Sequence, residues 1–189
     1  MEKFIKDFSD ELKNQIDKLF SGEIIKAIGQ LKKAREDGAM VYLIGNGGSS
    51  AIASHFANDL NKTILGHKGE KNIKRFMTIS FSDNVPVLTA WANDASYEKI
   101  FSEQLKNFAK PKDILIAISS SGNSPNIIEA AKTAKEFSMQ VIGFMGFDGG
   151  KLMALSDAKI YVPSFEYAVV ESIHDAVCHL MVSYFEKNL

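Results

Sequence analysis

Met40-Val41-Tyr42-Leu43-Ile44-Gly45-Asn46-Gly47-Gly48-Ser49-Ser50 runs from five apolar residues into a glycine- and serine-rich turn, and helical spacing follows. An apolar run without alternation reads as a strand covered on both faces, the pattern of a buried parallel sheet. Similar runs recur at Phe76–Ile79, Ile114–Ile118 and Gln140–Phe144, with a weaker fifth at Ala158–Val162. Helical spacing occupies the intervals, at 50–64, 85–92, 97–109, 124–137 and 149–155, and a long last stretch covers 168–187. Strands alternating with helices imply βαβ units. The expected fold is an α/β three-layer sandwich, a mostly parallel five-stranded sheet with helices on both faces.

Two amphipathic stretches precede the first strand. Phe4, Ile5, Phe8, Leu12, Ile16, Leu19 and Phe20 recur at helical spacing over 2–20, and Ile24, Ile25, Ile28 and Leu31 do so before Asp37-Gly38. Their apolar stripes need a partner, which is either their own domain or another subunit. No second composition regime or repeat divides the chain, so 1–189 is read as one domain, with 1–38 as a helical pair suited to an oligomer contact.

Composition narrows the function classes. In 189 residues, 22 Lys and Arg against 23 Asp and Glu leave a net charge of −1, too little basic surplus for a nucleic-acid footprint. One Cys cannot form an internal disulfide, which points to a reducing, cytoplasmic setting. The opening MEKFIKDFSDELKNQ interrupts its apolar residues with charge, and no stretch reaches the ~20 apolar residues of a membrane span, so no membrane partner is expected.

In an open parallel sheet, ligands bind beyond the carboxyl ends of the strands. Two such ends here are unusual: Gly45-Asn46-Gly47-Gly48-Ser49-Ser50, and Ser119-Ser120-Ser121-Gly122-Asn123-Ser124-Pro125. Glycines let backbone N–H groups approach an anion, hydroxyls add donors, and a helix N-terminus adds partial positive charge. The first turn is G-x-G-x-x-S, a weak match to a dinucleotide fingerprint, and no acidic residue ends a second strand where a ribose would need it. No G-x-x-x-x-G-K-[ST] is present. One Ser-rich turn alone would simply cap a helix. Two in one small sheet, offering hydroxyls without basic residues, favour a phosphate monoester over a nucleotide.

Chemistry-bearing side chains concentrate on two helices. His55 and Asp59, four apart, share one face of the helix that follows the glycine turn. On the terminal helix Glu171 and His179 are two turns apart, with His174 and Asp175 between, and Asp175 stands four before His179 as an orienting partner. Two His and two carboxylates suit Zn²⁺ or a related divalent ion. Spacing alone favours the plainer reading, an exposed His–Asp pair and a core histidine. Cys178 faces away from His179 and reads as packing. His67, in a basic loop with Lys68, Lys71, Lys74 and Arg75, reads as solvated rather than as an anion-attracting patch. Asn93-Asp94 reads as an N-cap before the next helix.

Taken in order, Asn46-Gly47-Gly48-Ser49, His55-Phe56-Ala57, Asn93-Asp94, Ser119–Ser124, Asp148-Gly149-Gly150-Lys151 and Glu171-x-x-His174-x-x-x-x-His179 resemble the phosphoheptose isomerases of the sugar-isomerase (SIS) superfamily. The resemblance covers about residues 20–187. It implies a cytoplasmic homotetramer converting sedoheptulose 7-phosphate to D-glycero-D-manno-heptose 7-phosphate, for lipopolysaccharide, capsule or related glycans. It also implies that Ser119, Ser120, Ser121 and Ser124 hold the phosphate, and that Asn46, Gly47, Gly48, Asn93 and Asp94 contact the sugar. His55, Asp59, Glu171 and His179 would form a Zn²⁺ site at the substrate, with Asp59 and His179 as the acid/base pair.

Three positions depart from the family pattern. Asp59 stands where the family usually has Glu, Glu171 where it has Gln, and Thr63 where a basic residue is expected. An acidic 171 would tighten metal binding, raise a neighbouring pKa or report another sugar. Two rivals remain: a non-catalytic SIS protein that binds a partner, like the replication-initiator-associating relative, and a phosphosugar-binding module without turnover. The retained acid at 59 favours an enzyme.

Overall fold

The computed structural model describes residues 1–65 and 73–188. Five strands, β1 (Met40–Gly45), β2 (Met77–Ser80), β3 (Ile114–Ser119), β4 (Gln140–Met145) and β5 (Ala158–Tyr161), form one sheet in the order β2-β1-β3-β4-β5. Every pairing is parallel. The central strand β3 is buried along its whole length, which is why its sequence shows no alternation. The order reverses direction beside β1 and β3, so the crevice expected for a ligand opens between the C-terminal ends of these two strands.

Alternate residues feed two cores. Val41, Leu43, Ile116 and Ile118 join one, with α2 (Ser21–Asp37), α3 (Gly48–Asn61) and α8 (Tyr167–Asn188). Tyr42, Ile44, Leu115 and Ala117 join the other, with α5 (Ser102–Phe108), α6 (Pro125–Glu136) and α7 (Gly150–Leu155). Asp113, itself buried, accepts Met40 N–H on one oxygen and Lys110 N–H on the other, each at 2.9 Å, and so ties the starts of β1 and β3.

The two leading helices are covered by their own domain to different extents. In α2, Ile24, Ala27, Leu31 and Ala34 are buried on the sheet, and Gly38 ends the helix at φ +71°, a left-handed cap. In α1 (Glu2–Asp17), Phe8 and Leu12 lie against the core of their own domain, whereas Phe4, Ile5 and Ile16 remain exposed.

Two local expectations are corrected. The helix expected over 97–109 is a 3₁₀ turn at Tyr97–Lys99 followed by α5, because Lys99 N–H closes onto Ser96 and the α-helical ladder begins only with Leu105 N–H to Phe101. Asn93 and Asp94 do not cap that segment. They are the last residues of α4 (Val85–Asp94), and Ser96 holds the N-cap position of the following turn.

Candidate active site

Both unusual turns converge at the sheet's C-terminal edge, around a cleft of about 280 Å³ lined by Asn46–Ser49, Ser119–Ser121, Ser124, Tyr167 and Glu171. The first turn leaves β1 and enters α3 through Gly47, at φ +53°. The second leaves β3 at Ser119, turns at Gly122 with φ +63°, and enters α6 through Ser124 and Pro125. Gly122 N–H bonds back to Ser119 at 2.9 Å, and the Ser119 and Ser124 hydroxyls lie 3.2 Å apart. Ser120 Oγ is buried without a partner among the described residues, an orphaned polar atom in the wall of the cleft. A buried hydroxyl in that state is poised for a ligand.

The serine turn is held from outside and from the side. Gly146 N–H donates to Ser120 carbonyl at 2.8 Å, and Leu152 N–H to Gly122 carbonyl at 2.9 Å. Asn123 Oδ1 accepts Lys151 N–H at 3.1 Å, so the Asp148–Lys151 motif braces the turn rather than facing the cleft. Asn46 and Asn126 exchange reciprocal amide hydrogen bonds of 2.8 and 2.9 Å, linking the two turns. Tyr97 donates its hydroxyl to Asn46 Oδ1 at 3.1 Å. Neither Asn126 nor Tyr97 carries a sequence signal for this role, since the pairings join segments 80 and 51 residues apart.

Further along the seam between α3 and α8, two imidazoles and two carboxylates face one another. Asp59 Oδ2 lies 3.6 Å from His55 Nε2 and 3.6 Å from His179 Nδ1. Asp175 Oδ1 lies 3.7 Å from His55 Nδ1, and its Oδ2 lies 3.6 Å from His179 Nε2. The two rings meet edge to face, with centroids 4.9 Å apart. Ligand atoms of His55, Asp175 and His179 all lie within 4.8 Å of one another, and this N/O donor set fits a divalent cation. Thr63, at one of the departing positions, donates its hydroxyl to Asp59 Oδ1 at 2.7 Å, and Asn58 adds an amide at 3.2 Å.

The remaining expected residues are placed differently. Glu171 points into the cleft, its carboxylate against the Cα of Gly48. Asn93 and Asp94 are exposed and bonded to each other at 2.8 Å, outside the cleft lining of this one chain. Burial pushes the Cys178 thiol well above its usual range, aided by the charges of Asp175 and Asp59, so it stays protonated and packs. His174 is fully buried, with Nε2 3.3 Å from Met145 carbonyl, and burial lowers its pKa to about 4. His67 lies outside the described residues, and Lys74 and Arg75 are exposed away from the cleft.

Comparison with known proteins places the chain among them. Residues 3–146 match the SIS domain model. The phosphoheptose isomerase of Leptospira biflexa is 40% identical over 166 residues, covering 87% of this chain and 84% of that protein. Phosphoheptose isomerase 1 of Campylobacter jejuni is 33% identical over 174 residues, with 92% and 91% covered. The solved phosphoheptose isomerase of Neisseria gonorrhoeae superposes with a TM-score of 0.88 at 28% identity, over 98% of both chains.

Proposed function

The chain belongs to the phosphoheptose isomerases of the SIS domain family, and from that premise we propose how its residues divide the work. The enzyme is an aldose–ketose isomerase converting sedoheptulose 7-phosphate to D-glycero-D-manno-heptose 7-phosphate. The observation that carries the division of labour is the shared seam of α3 and α8. It has a hydroxyl-lined cradle at one end and the His–Asp cluster about 10 Å further on, at 1.5 Å per helical residue.

Ser119, Ser120, Ser121 and Ser124 hold the phosphate with hydroxyl and backbone donors at the start of α6. Asn46, Gly47 and Gly48 line the path of the sugar, and Glu171, an acceptor without a donor, orients its hydroxyls. Asn93 and Asp94 complete the sugar contacts within the assembled enzyme. Isomerisation removes a proton from C1, protonates the C2 carbonyl oxygen to give an enediol, then returns a proton to C2 as the C1 hydroxyl proton leaves. That sequence needs a base at carbon and an acid at oxygen. Asp59 and His179 serve as this pair, since Asp59 Oδ2 faces His179 Nδ1 and a proton can pass between them. A Zn²⁺ ion held beside the histidines would polarise the carbonyl oxygen.

The working enzyme is a cytoplasmic homotetramer on this reading. Phe4, Ile5 and Ile16 of α1 and Met77 and Ile79 of the edge strand leave apolar surface for neighbouring subunits to cover. The buried free Cys178 suits a reducing compartment, and no described helix is long and apolar enough to cross a membrane. A partner-binding protein without catalysis is not favoured, because Asp59 is present and seated between both histidines.

Purified protein incubated with sedoheptulose 7-phosphate, with and without Zn²⁺, should form the aldose by NMR, and Asp59→Ala should not. Folded tetramer without turnover would refute this function. Turnover of a pentose or hexose phosphate alone would keep the mechanism and change the substrate.

A further inference from the structure

We infer that Tyr97 and Asn126 are positioning residues that lock the Asn46 amide, so that Asn46 presents the substrate with an N–H and not with its carbonyl. The inference deepens the reading of the cleft as a sugar-phosphate site and rests on it.

The orientation follows from a backbone donor. The two ends of an amide are told apart by the groups they face. Asn126, buried at the start of α6, sets one end of its amide 3.0 Å from the Ile127 N–H. The same N–H also reaches the Ser124 carbonyl, at 3.1 Å. An N–H only donates, so the Asn126 atom facing it is Oδ1 and the other end is the NH₂. That NH₂ lies 2.8 Å from the Asn46 amide and needs an acceptor there, which makes the facing atom Asn46 Oδ1. Asn46 Nδ2 then donates to Asn126 Oδ1 at 2.9 Å.

Tyr97 takes up the remaining acceptor capacity. Its hydroxyl donates to Asn46 Oδ1 at 3.1 Å. A carbonyl oxygen has two lone pairs, and here one goes to Asn126 and one to Tyr97. Of the two N–H groups on Asn46, one goes to Asn126, and the other has no partner among the described residues. Asn46 lines the cleft, so the group it offers a ligand is this single donor.

Turning the amide over would set oxygen against oxygen and NH₂ against NH₂ across the Asn46–Asn126 pair. A donor fixed before the substrate arrives binds a phosphate, hydroxyl or carbonyl oxygen without first being ordered. Without the Tyr97 hydroxyl, Oδ1 regains a lone pair and the amide can tilt out of line. Tyr97 stands three residues after Asp94, so its hydroxyl also ties the segment that ends α4 to the wall of the cleft.

The test compares full-length variants, checked by thermal unfolding, in steady-state kinetics with sedoheptulose 7-phosphate. Calorimetric titration with the reduced, unreactive alditol 7-phosphate of the same sugar reads affinity apart from turnover. Tyr97→Phe should fold as wild type, since the side chain it alters is 61% exposed. Its KM and its Kd for the alditol phosphate should rise about three- to tenfold, with kcat changed by less than about twofold. In an Asn46→Ala background the same substitution should alter either constant by less than about 1.5-fold, because Tyr97 acts through Asn46. Asn46→Asp, isosteric but without an N–H, should bind the alditol phosphate at least about tenfold more weakly. Unchanged constants in Tyr97→Phe, or the same rise in both backgrounds, would overturn the positioning role, and wild-type affinity in Asn46→Asp would overturn the donor. Folded wild type that binds the alditol phosphate but turns nothing over would refute the isomerase reading and leave the affinities to decide the role of Tyr97. Wild type that does neither would overturn both.

Discussion

The carboxylate of Glu171 rests against the Cα of Gly48, so close that a β-carbon on Gly48 would overlap both its oxygens. Only glycine lets the acid settle into the wall of the cleft beside the serine turn. Gly48→Ala should swing the carboxylate away. The obstructing atoms are the end of a flexible side chain, so stability should barely change while KM for the sugar phosphate rises about tenfold, or ~1.4 kcal/mol. Added to Glu171→Ala, the same substitution should cost much less than it does alone. Steady-state kinetics on the double-mutant cycle measure that coupling, and simple additivity would show that the two residues act separately.

Gly122 meets a harder obstacle. A β-carbon there would overlap the carbonyl of Gly149, and the residue sits at φ +63°. Backbone cannot yield as a side chain does. Gly122→Ala should destabilise the protein by about 1–3 kcal/mol. That corresponds to roughly 2–4 °C in Tm per kcal/mol for a chain of this size. It should also weaken inhibition by inorganic phosphate if the turn carries the phosphate donors, as proposed above. Thermal unfolding and phosphate competition together check this, and an unshifted Tm would contradict it.

The strands were legible because parallel sheets bury both faces, so β1, β3 and β4 read as continuous apolar runs within one residue of their ends. The break before α5 was not, because Ile100 and Phe101 are both buried and keep an apolar pattern through a segment that is not continuous helix. Around the cleft, Ser119–Ser124 stood out by composition, whereas the helical spacing of His55 and Asp59, and of His179 on another helix, by itself favoured a plain exposed pair and a core histidine, and only the family resemblance read them as a site. Spacing cannot say which nitrogen of a ring faces which carboxylate. That is why the contacts of both rings with Asp59 and Asp175 emerge only when α3 and α8 are packed together.

Acid should weaken the fold through His174. Burial lowers its folded pKa to about 4, against an ordinary histidine value of 6.5. Between those values the unfolded chain binds a proton that the native state refuses, so stability is complete above about pH 6.5 and declines as the pH falls toward 4. The full difference is about 3 kcal/mol, at 1.36 kcal/mol per pKa unit. Urea unfolding from pH 7.5 to 4.5 should show this decline, and His174→Gln should flatten it while keeping an N–H for the Met145 carbonyl. An equally steep profile in the variant would assign the acid sensitivity elsewhere.

Ser120 distinguishes binding from folding most cleanly. Its hydroxyl is buried in the cleft wall but makes no hydrogen bond among the described residues, whereas Ser119 and Ser124 share one. Ser120→Ala therefore removes no native contact, and Tm should stay within about 1–2 °C of wild type, a change of well under 1 kcal/mol. A hydrogen bond to a charged phosphate contributes about 1.5–3 kcal/mol, so affinity for the sugar phosphate and for inorganic phosphate should fall about 10- to 150-fold. Because the role proposed for the hydroxyl is at the phosphate and not at the reacting carbons, kcat should change far less than KM. Calorimetric titration with phosphate beside steady-state kinetics reads both quantities. Unchanged phosphate affinity in a stable Ser120→Ala protein would mean that the anion does not sit in the serine turn.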